Sequence, residues 1–155
     1  ITGRNMLLWD GGCHVHERFS VEGIKQLKQQ HPDAKVLAHP ECTGEVAALA
    51  DKVGSTAALL KFSINDDAQK FIVVTEVGIL HEMQKSAPQK TFIPAPSNEE
   101  PRACNECNYM KLITMRKLYN CIKHEWPTIE VDPEIAEKAV RPINKMLEIS
   151  RKLGL

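Results

Sequence analysis

The chain has 155 residues, 43% hydrophobic and 26% charged, with a formal net charge of +0. That is enough apolar residue for one α/β domain with an ordinary core, or for one domain plus an appendage. The balanced charge argues against a broad nucleic-acid or anionic-membrane surface, and no apolar run approaches the ~18 residues of a membrane span.

No signal-peptide pattern opens the chain, and its first residue is Ile1 rather than Met, which points to a processed product or a cut piece. Five cysteines at uneven spacing do not make a secreted disulfide framework. A reducing, cytoplasmic compartment with cysteines kept for chemistry is the better expectation.

Met6–Trp9 reads as a strand running into the turn Asp10-Gly11-Gly12. Ser20 is an N-cap for a helix to about Gln30, with Val21, Ile24 and Leu27 on one face, and His31-Pro32-Asp33 stops it. Lys35–Ala38 reads as a short buried strand ending at His39-Pro40-Glu41. Thr43–Lys52 reads as a helix, and Ser55-Thr56 caps the next one, to about Ser63. Phe71–Val74 is the clearest strand and leads through Thr75-Glu76 into a helix to about Ser86. Thr91–Ile93 completes the set. Strands alternating with helices imply a parallel-sheet, three-layer α/β fold of Rossmann-like units. Pro94–Pro101 reads as a linker. Tyr109–Ile122 has helical spacing, and a C-terminal helix runs from about Pro133 to Leu153 with a kink expected at Pro142. The expected division is residues 1–34 as the end of one α/β domain, 35–96 as an α/β domain, and 97–155 as a cysteine-bearing loop with C-terminal helices.

Polar residues gather where these strands end: Cys13-His14-Val15-His16, His39-Pro40-Glu41, Gly54-Ser55-Thr56 and Thr75-Glu76. In an open α/β sheet that edge forms the binding crevice. Each group also has a plain structural use. Gly54-Ser55-Thr56 is either a helix cap or a phosphate or carboxylate site at a helix N-terminus. His39 is either a buried hydrogen-bonding residue or, with Glu41 on the same side of an extended chain, half of a proton-transfer pair. His14 and His16 share a face in extended chain and are either surface residues or site residues. Thr75-Glu76 reads as a strand-end cap. Cys42 and Cys121 read as packing residues, and His31, His81 and His124 as exposed helix-end residues. Cys104-x-x-Cys107 alone is half a zinc site, a redox pair or a cluster loop. The helix dipole after Cys107 favours its thiolate, and Cys13 and Cys107 are the candidate metal ligands, their soft sulfur suited to iron.

The ordered motifs Gly11-Gly12-Cys13-His14-Val15-His16-Glu17, His39-Pro40-Glu41-Cys42, Gly54-Ser55-Thr56, Thr75-Glu76-Val77-Gly78-Ile79-Leu80-His81-Glu82-Met83 and Cys104-x-x-Cys107-x-x-Met110-Lys111 resemble the quinolinate synthase family of bacterial NAD biosynthesis. The tail Glu137–Leu147, proline included, looks like that family's C-terminal helix. The resemblance implies condensation of iminoaspartate with dihydroxyacetone phosphate to quinolinate, with release of phosphate and water. It implies three similar α/β domains, each giving one cysteine to a 4Fe–4S cluster whose fourth iron is an open Lewis acid. Cys13 would be the second ligand and Cys107 the third. Glu41, His39 and His14 would carry catalysis, and His39, Glu41, Ser55, Thr56 and His16 would contact substrate. Family members are about twice this length, so the chain matches their C-terminal half, and the N-terminal half is the expected partner. The chain departs from the family at Ile113, where Asn is usual, at Tyr109, near a common Trp, and at Asn108, in place of Pro. A Cys104–Cys107 disulfide would compete with ligation at Cys107. The alternative function is a non-catalytic, zinc-stabilised anion-binding module in which Cys13, Cys104, Cys107 and a histidine hold the ion.

Overall fold

The computed structural model describes residues 5–7, 9–98 and 105–154. It divides into two units, residues 1–112 and 113–155.

The first unit is built on a four-stranded sheet. The strands are β1 (Lys35–Ala38), β2 (Lys52–Val53), β3 (Lys70–Val74) and β4 (Thr91–Pro94), in spatial order β2-β1-β3-β4. Every pairing is parallel. The helices are α1 (Val21–Gln30), α2 (Gly44–Ala47), α3 (Thr56–Asn65) and α4 (Ile79–Ser86). The expected α/β architecture is what the chain adopts.

Side chains alternate across a strand, and the central strands show the result. Val36, Ala38, Ile72 and Val74 face one core with Phe19, Ile24 and Val46. Leu37, Phe71 and Val73 face the other with Leu59 and Met83. Both faces are covered, which is why β3 is a continuous apolar run rather than an alternating one. Local signals start the helices. Ser20 Oγ accepts the Gly23 N–H at 3.1 Å, and Ser55 Oγ accepts the Ala58 N–H at 3.4 Å. At the other end of α3, the buried Lys90 ammonium donates to the carbonyls of Ser63 at 2.9 Å and Asp66 at 2.5 Å. A cation there complements the helix dipole.

Four expectations need correction. The helix expected over Thr43–Lys52 is only α2, and Lys52–Val53 is a strand. Asp51 causes the change: its N–H donates to the Val36 carbonyl at 2.9 Å, and its carboxylate accepts the Val36 N–H at 2.7 Å. Those bonds to β1 outweigh local helix preference. Secondly, Pro94 closes β4 and Ala95 N–H bonds the Val73 carbonyl at 3.0 Å, so the ordered sheet edge continues to an isolated bridge between Phe19 and Ser97. Proline is tolerated there because β4 is an edge strand; residues 99–101 of the expected linker lie outside the described residues. Thirdly, Met6, Leu7 and Trp9 are irregular and exposed, Leu8 lying outside the described residues. A strand needs a neighbour, and none of the described residues pairs with this run. Fourthly, Tyr109–Ile122 is broken into a 3₁₀ turn at Met110–Leu112 and helix α5 (Met115–His124). Thr114 separates them by capping α5, its hydroxyl accepting the Lys117 N–H at 3.3 Å.

The second unit carries α5 and α6 (Pro133–Leu153). Asp132 caps α6, with Pro133 in its first turn and Gly154 left-handed at its end (φ 69°). The helix runs through Pro142. Apolar residues of both helices are exposed, among them Tyr119, Ile122, Ile135, Ile143 and Met146. Cys121, expected to be a packing residue, is exposed on α5.

The seam between α1 and the end of β4 is tight. A Cβ built on Gly23 would stand 2.3 Å from Cγ of Pro96, whose carbonyl accepts the Ser20 N–H at 3.0 Å. A proline ring cannot swing aside as a flexible side chain can. Gly23→Ala is therefore expected to destabilise the first unit by about 1–3 kcal/mol despite alanine's better helix propensity. Urea denaturation of the two proteins checks this; an alanine variant at least as stable as wild type would show that the seam yields.

Candidate active site

The loop after Trp9 reaches the sheet as a turn. Glu17 N–H donates to the Cys13 carbonyl at 3.1 Å, and a 3₁₀ turn covers His16–Arg18. Val15 and Phe19 are buried on either side, which drives His16 inward to 7% exposure. His14 and His16 therefore do not share the face that an extended chain would give them. His14 packs edge-on against Tyr109, ring centroids 5.3 Å apart. His16 stacks on His39 at 4.3 Å with an interplanar angle of 13°.

His39-Pro40-Glu41 is also a turn rather than extended chain. Cys42 N–H closes it on the His39 carbonyl at 3.0 Å, and Glu41 N–H points to His39 Nδ1 at 3.4 Å. The turn brings the Glu41 carboxylate to both rings. Its Oε2 lies 3.6 Å from His39 Nδ1 and 2.9 Å from His16 Nδ1. The second contact, at ion-pair distance, sets the buried His16 Nδ1 directly against the Glu41 carboxylate. The other nitrogen, Nε2, is 2.9 Å from the buried Thr75 Oγ1 at the end of β3. Burial, reinforced by the adjacent His39, holds the His16 pKa below its ordinary value, while Glu41 opposes the shift.

Cys13 and Cys107 are both half-buried against the same apolar cluster. The Cys107 segment is docked to the sheet through Glu76 and Asn105. Glu76 accepts the N–H of Cys107 at 3.3 Å and that of Gly78 at 2.7 Å, and Lys111 lies 3.6 Å from its Oε1. The Asn105 carbonyl accepts the Val77 N–H at 3.1 Å, and its side-chain amide donates to the Ala95 carbonyl. Cys104 lies outside the described residues. Cys42 is a different kind of cysteine. Burial pushes its thiol up to about 11, and its Sγ faces the Val74 carbonyl at 3.6 Å, so it is inert packing.

A cleft of about 510 Å³, lined by Trp9, Gly12, Cys13, Glu17 and Glu41, opens beside the carboxylate. Cys13, His16 and Glu41 each turn one potential ligand atom toward the others, all within 4.8 Å, a grouping able to hold a metal ion. Ser55 and Thr56 follow β2 and are exposed, but they do not line this cleft. Residue types alone single out Cys13, His39 and Glu41. The participation of Thr75 and Glu76 was legible only as strand-end capping, because their partners are 59 and 31 residues away in sequence.

Comparison with known proteins follows the same residues. The family model described as quinolinate synthetase A protein matches residues 1–148. Curated proteins named quinolinate synthase are similar to the chain over 149 residues, or 96% of its length. They include those of Synechococcus at 50% identity, Chloroherpeton thalassium at 51% and Microcystis aeruginosa at 52%. The chain spans about half the length of these relatives, 47%, 46% and 46% respectively. On a match that takes in both cysteine segments and every strand-end motif, the chain belongs to the quinolinate synthetase A protein family.

Proposed function

We propose that this chain is the C-terminal half of a quinolinate synthase, which condenses iminoaspartate with dihydroxyacetone phosphate and releases phosphate and water. The observation that supports the reading is the packing of two half-buried thiols, Cys13 and Cys107, against one core cluster, with Cys13 within 4.8 Å of the Glu41 carboxylate that also contacts His39. The donor chemistry fits an iron–sulfur cluster, since soft thiolates in a partly apolar setting are its usual ligands. Cys13 and Cys107 would hold a 4Fe–4S cluster together with a cysteine from the other half. When bound, the cluster supplies an open iron acting as a Lewis acid.

The chain's own groups suit the remaining work. Imine formation, enolisation and dehydration each move a proton. The Glu41 carboxylate faces the cleft and sits beside two imidazoles, so it can take a proton that His39 or His16 then shares. His14, held against Tyr109 close to the Cys107 segment, would add a further polar contact. Ser55 and Thr56 are exposed at the start of α3, where the helix N-terminus suits a phosphate or carboxylate even with the Ser55 hydroxyl capping the Ala58 N–H. Segment 97–155 would carry the third ligand and the C-terminal helices. The exposed apolar residues of α5 and α6 support a larger assembly, because surfaces of that kind are usually covered.

The test is quinolinate formation from the two substrates after anaerobic reconstitution with iron and sulfide. The chain alone is expected to make none, and addition of the separately produced N-terminal half, or fusion to it, is expected to restore synthesis. Robust synthesis by the chain alone would overturn its assignment as a half-enzyme. A fused, fully folded protein that makes no quinolinate would overturn the activity itself.

A further inference from the structure

Glu76 sets a carboxylate with only 12% of its side chain exposed against the backbone of a candidate ligand, where β3 ends and α4 begins. One oxygen, Oε2, accepts the Gly78 N–H at 2.7 Å, a common use of an acid at a helix start. A Cβ on Gly78 would stand 2.6 Å from that oxygen, so the glycine leaves the carboxylate its place. The other oxygen has no such local use. Oε1 accepts the N–H of Cys107, 31 residues away in sequence, at 3.3 Å, and lies 3.6 Å from the Lys111 ammonium. The Lys111 N–H donates in turn to the Cys107 carbonyl at 3.0 Å. Glu76 and Lys111 therefore close a ring on the two peptide groups of Cys107. A carboxylate withdrawn from water is costly unless it is paired, and capping of α4 would occupy Oε2 alone.

We propose that Glu76, backed by Lys111, is a positioning residue that fixes where the Cys107 thiol stands before any metal arrives. This deepens the reading of Cys107 as a cluster ligand and rests on it. Groups behind a metal ligand orient it, and their loss typically costs about 10–100-fold in metal affinity. The segment around Cys107 needs such a hold. Its one regular element among the described residues 105–112 is the 3₁₀ turn Met110–Leu112, and Tyr109, Met110 and Leu112 are exposed. Apolar burial therefore holds the ligand residue through little more than the thiol's own contact with the core. Asn105 ties the start of the segment to Val77 and Ala95, and Glu76 ties Cys107 itself. With Asn105 left in place, removal of the Glu76 charge loosens Cys107 locally and leaves the sheet folded.

The experiment has two arms, and the first needs no cluster. The full chain, reduced and free of iron, is alkylated with iodoacetamide, and each cysteine is followed by peptide mass spectrometry. Glu76→Gln keeps the volume but removes the charge that holds the Cys107 N–H and Lys111, so Cys107 labelling should rise about 3–10-fold. Lys111→Gln should give a smaller rise, about twofold, because its ammonium is half exposed. Lys111→Arg keeps the cation and should label at the wild-type rate. The buried Cys42 should stay protected in all three, which a general loss of stability would not allow. Charge alone would move the two glutamine variants in opposite directions, since loss of a nearby carboxylate activates a thiol and loss of a nearby cation quiets it. The second arm joins the chain to its N-terminal half and reconstitutes it anaerobically. There Glu76→Gln should hold iron about 10–100-fold less tightly against a chelator. The proposal is overturned if Cys107 in Glu76→Gln labels at the wild-type rate, if Cys42 labels as fast as Cys107, if Lys111→Gln slows labelling, or if Glu76→Gln holds iron as wild type does. A joined wild-type protein that takes up no iron would overturn the cluster reading itself, whatever the labelling shows.

Discussion

Cys107→Ala, made in the chain joined to its N-terminal half, is expected to abolish the chromophore of the proposed iron–sulfur cluster, and Cys13→Ala to do the same. Cys42→Ala and Cys121→Ala should keep it. The reasoning is one of donor supply. In the proposed arrangement, with one cysteine from each of three domains, the cluster would have no spare protein ligand, so loss of one thiolate would leave it under-ligated. Among the described residues, Cys13 and Cys107 are the cysteines that border the same core cluster while remaining partly accessible. Cys42 touches that cluster too, but its thiol is pushed up to about 11 by burial, and a protonated thiol is a poor ligand. Cys121 stands exposed on α5 in the second unit. The Cys107 backbone is tied to Glu76 and the adjoining Asn105 to Val77, so the loop's docking does not rest on the thiol, and Cys107→Ala should fold. Iron content, labile sulfide and the visible spectrum after anaerobic purification decide the matter. A full cluster in Cys107→Ala would remove Cys107 from the ligand set.

Where structure follows from neighbours in sequence, the chain was readable. β1 at Lys35–Ala38 and α6 at Pro133–Leu153 have the bounds that their residues announce. For α6 the reason is local: an Asp cap, proline in the first turn and glycine after the last. Ser20 and Ser55 announce α1 and α3 in the same way. What was not readable depends on distant partners. Lys52–Val53 is a strand because β1 is there to pair with it, and Met6–Trp9 lacks such a neighbour among the described residues. The candidate site divides along the same line. His39 and Glu41 are two residues apart, and their contact could be anticipated, although the turn that makes it was not. The stacking of His16 on His39 and the Thr75 hydroxyl behind His16 are long-range results of folding. No spacing rule reaches them.

Glu41→Gln is expected to keep the cluster and the fold while losing most turnover. The substitution preserves volume and one carbonyl-type oxygen, and the side chain is 56% exposed, so little packing is at risk. What it removes is a proton acceptor and a negative charge at 2.9 Å from His16 Nδ1 and 3.6 Å from His39 Nδ1. A positioned general acid or base typically contributes about 10²–10⁴-fold in rate, equivalent to about 3–5 kcal/mol of barrier. The loss should fall on kcat, because the proposed role is proton transfer rather than holding substrate. If Glu41 only steadied the two imidazoles, Glu41→Gln would instead lower the urea midpoint and leave kcat near wild type. If it only bound substrate, KM would rise at constant kcat. Steady-state kinetics on the reconstituted full-length enzyme, with iron content matched between variant and wild type, separates the three. Wild-type kcat in Glu41→Gln would reduce Glu41 to a polar residue at the end of a strand and pass the proton transfers to the neighbouring imidazoles.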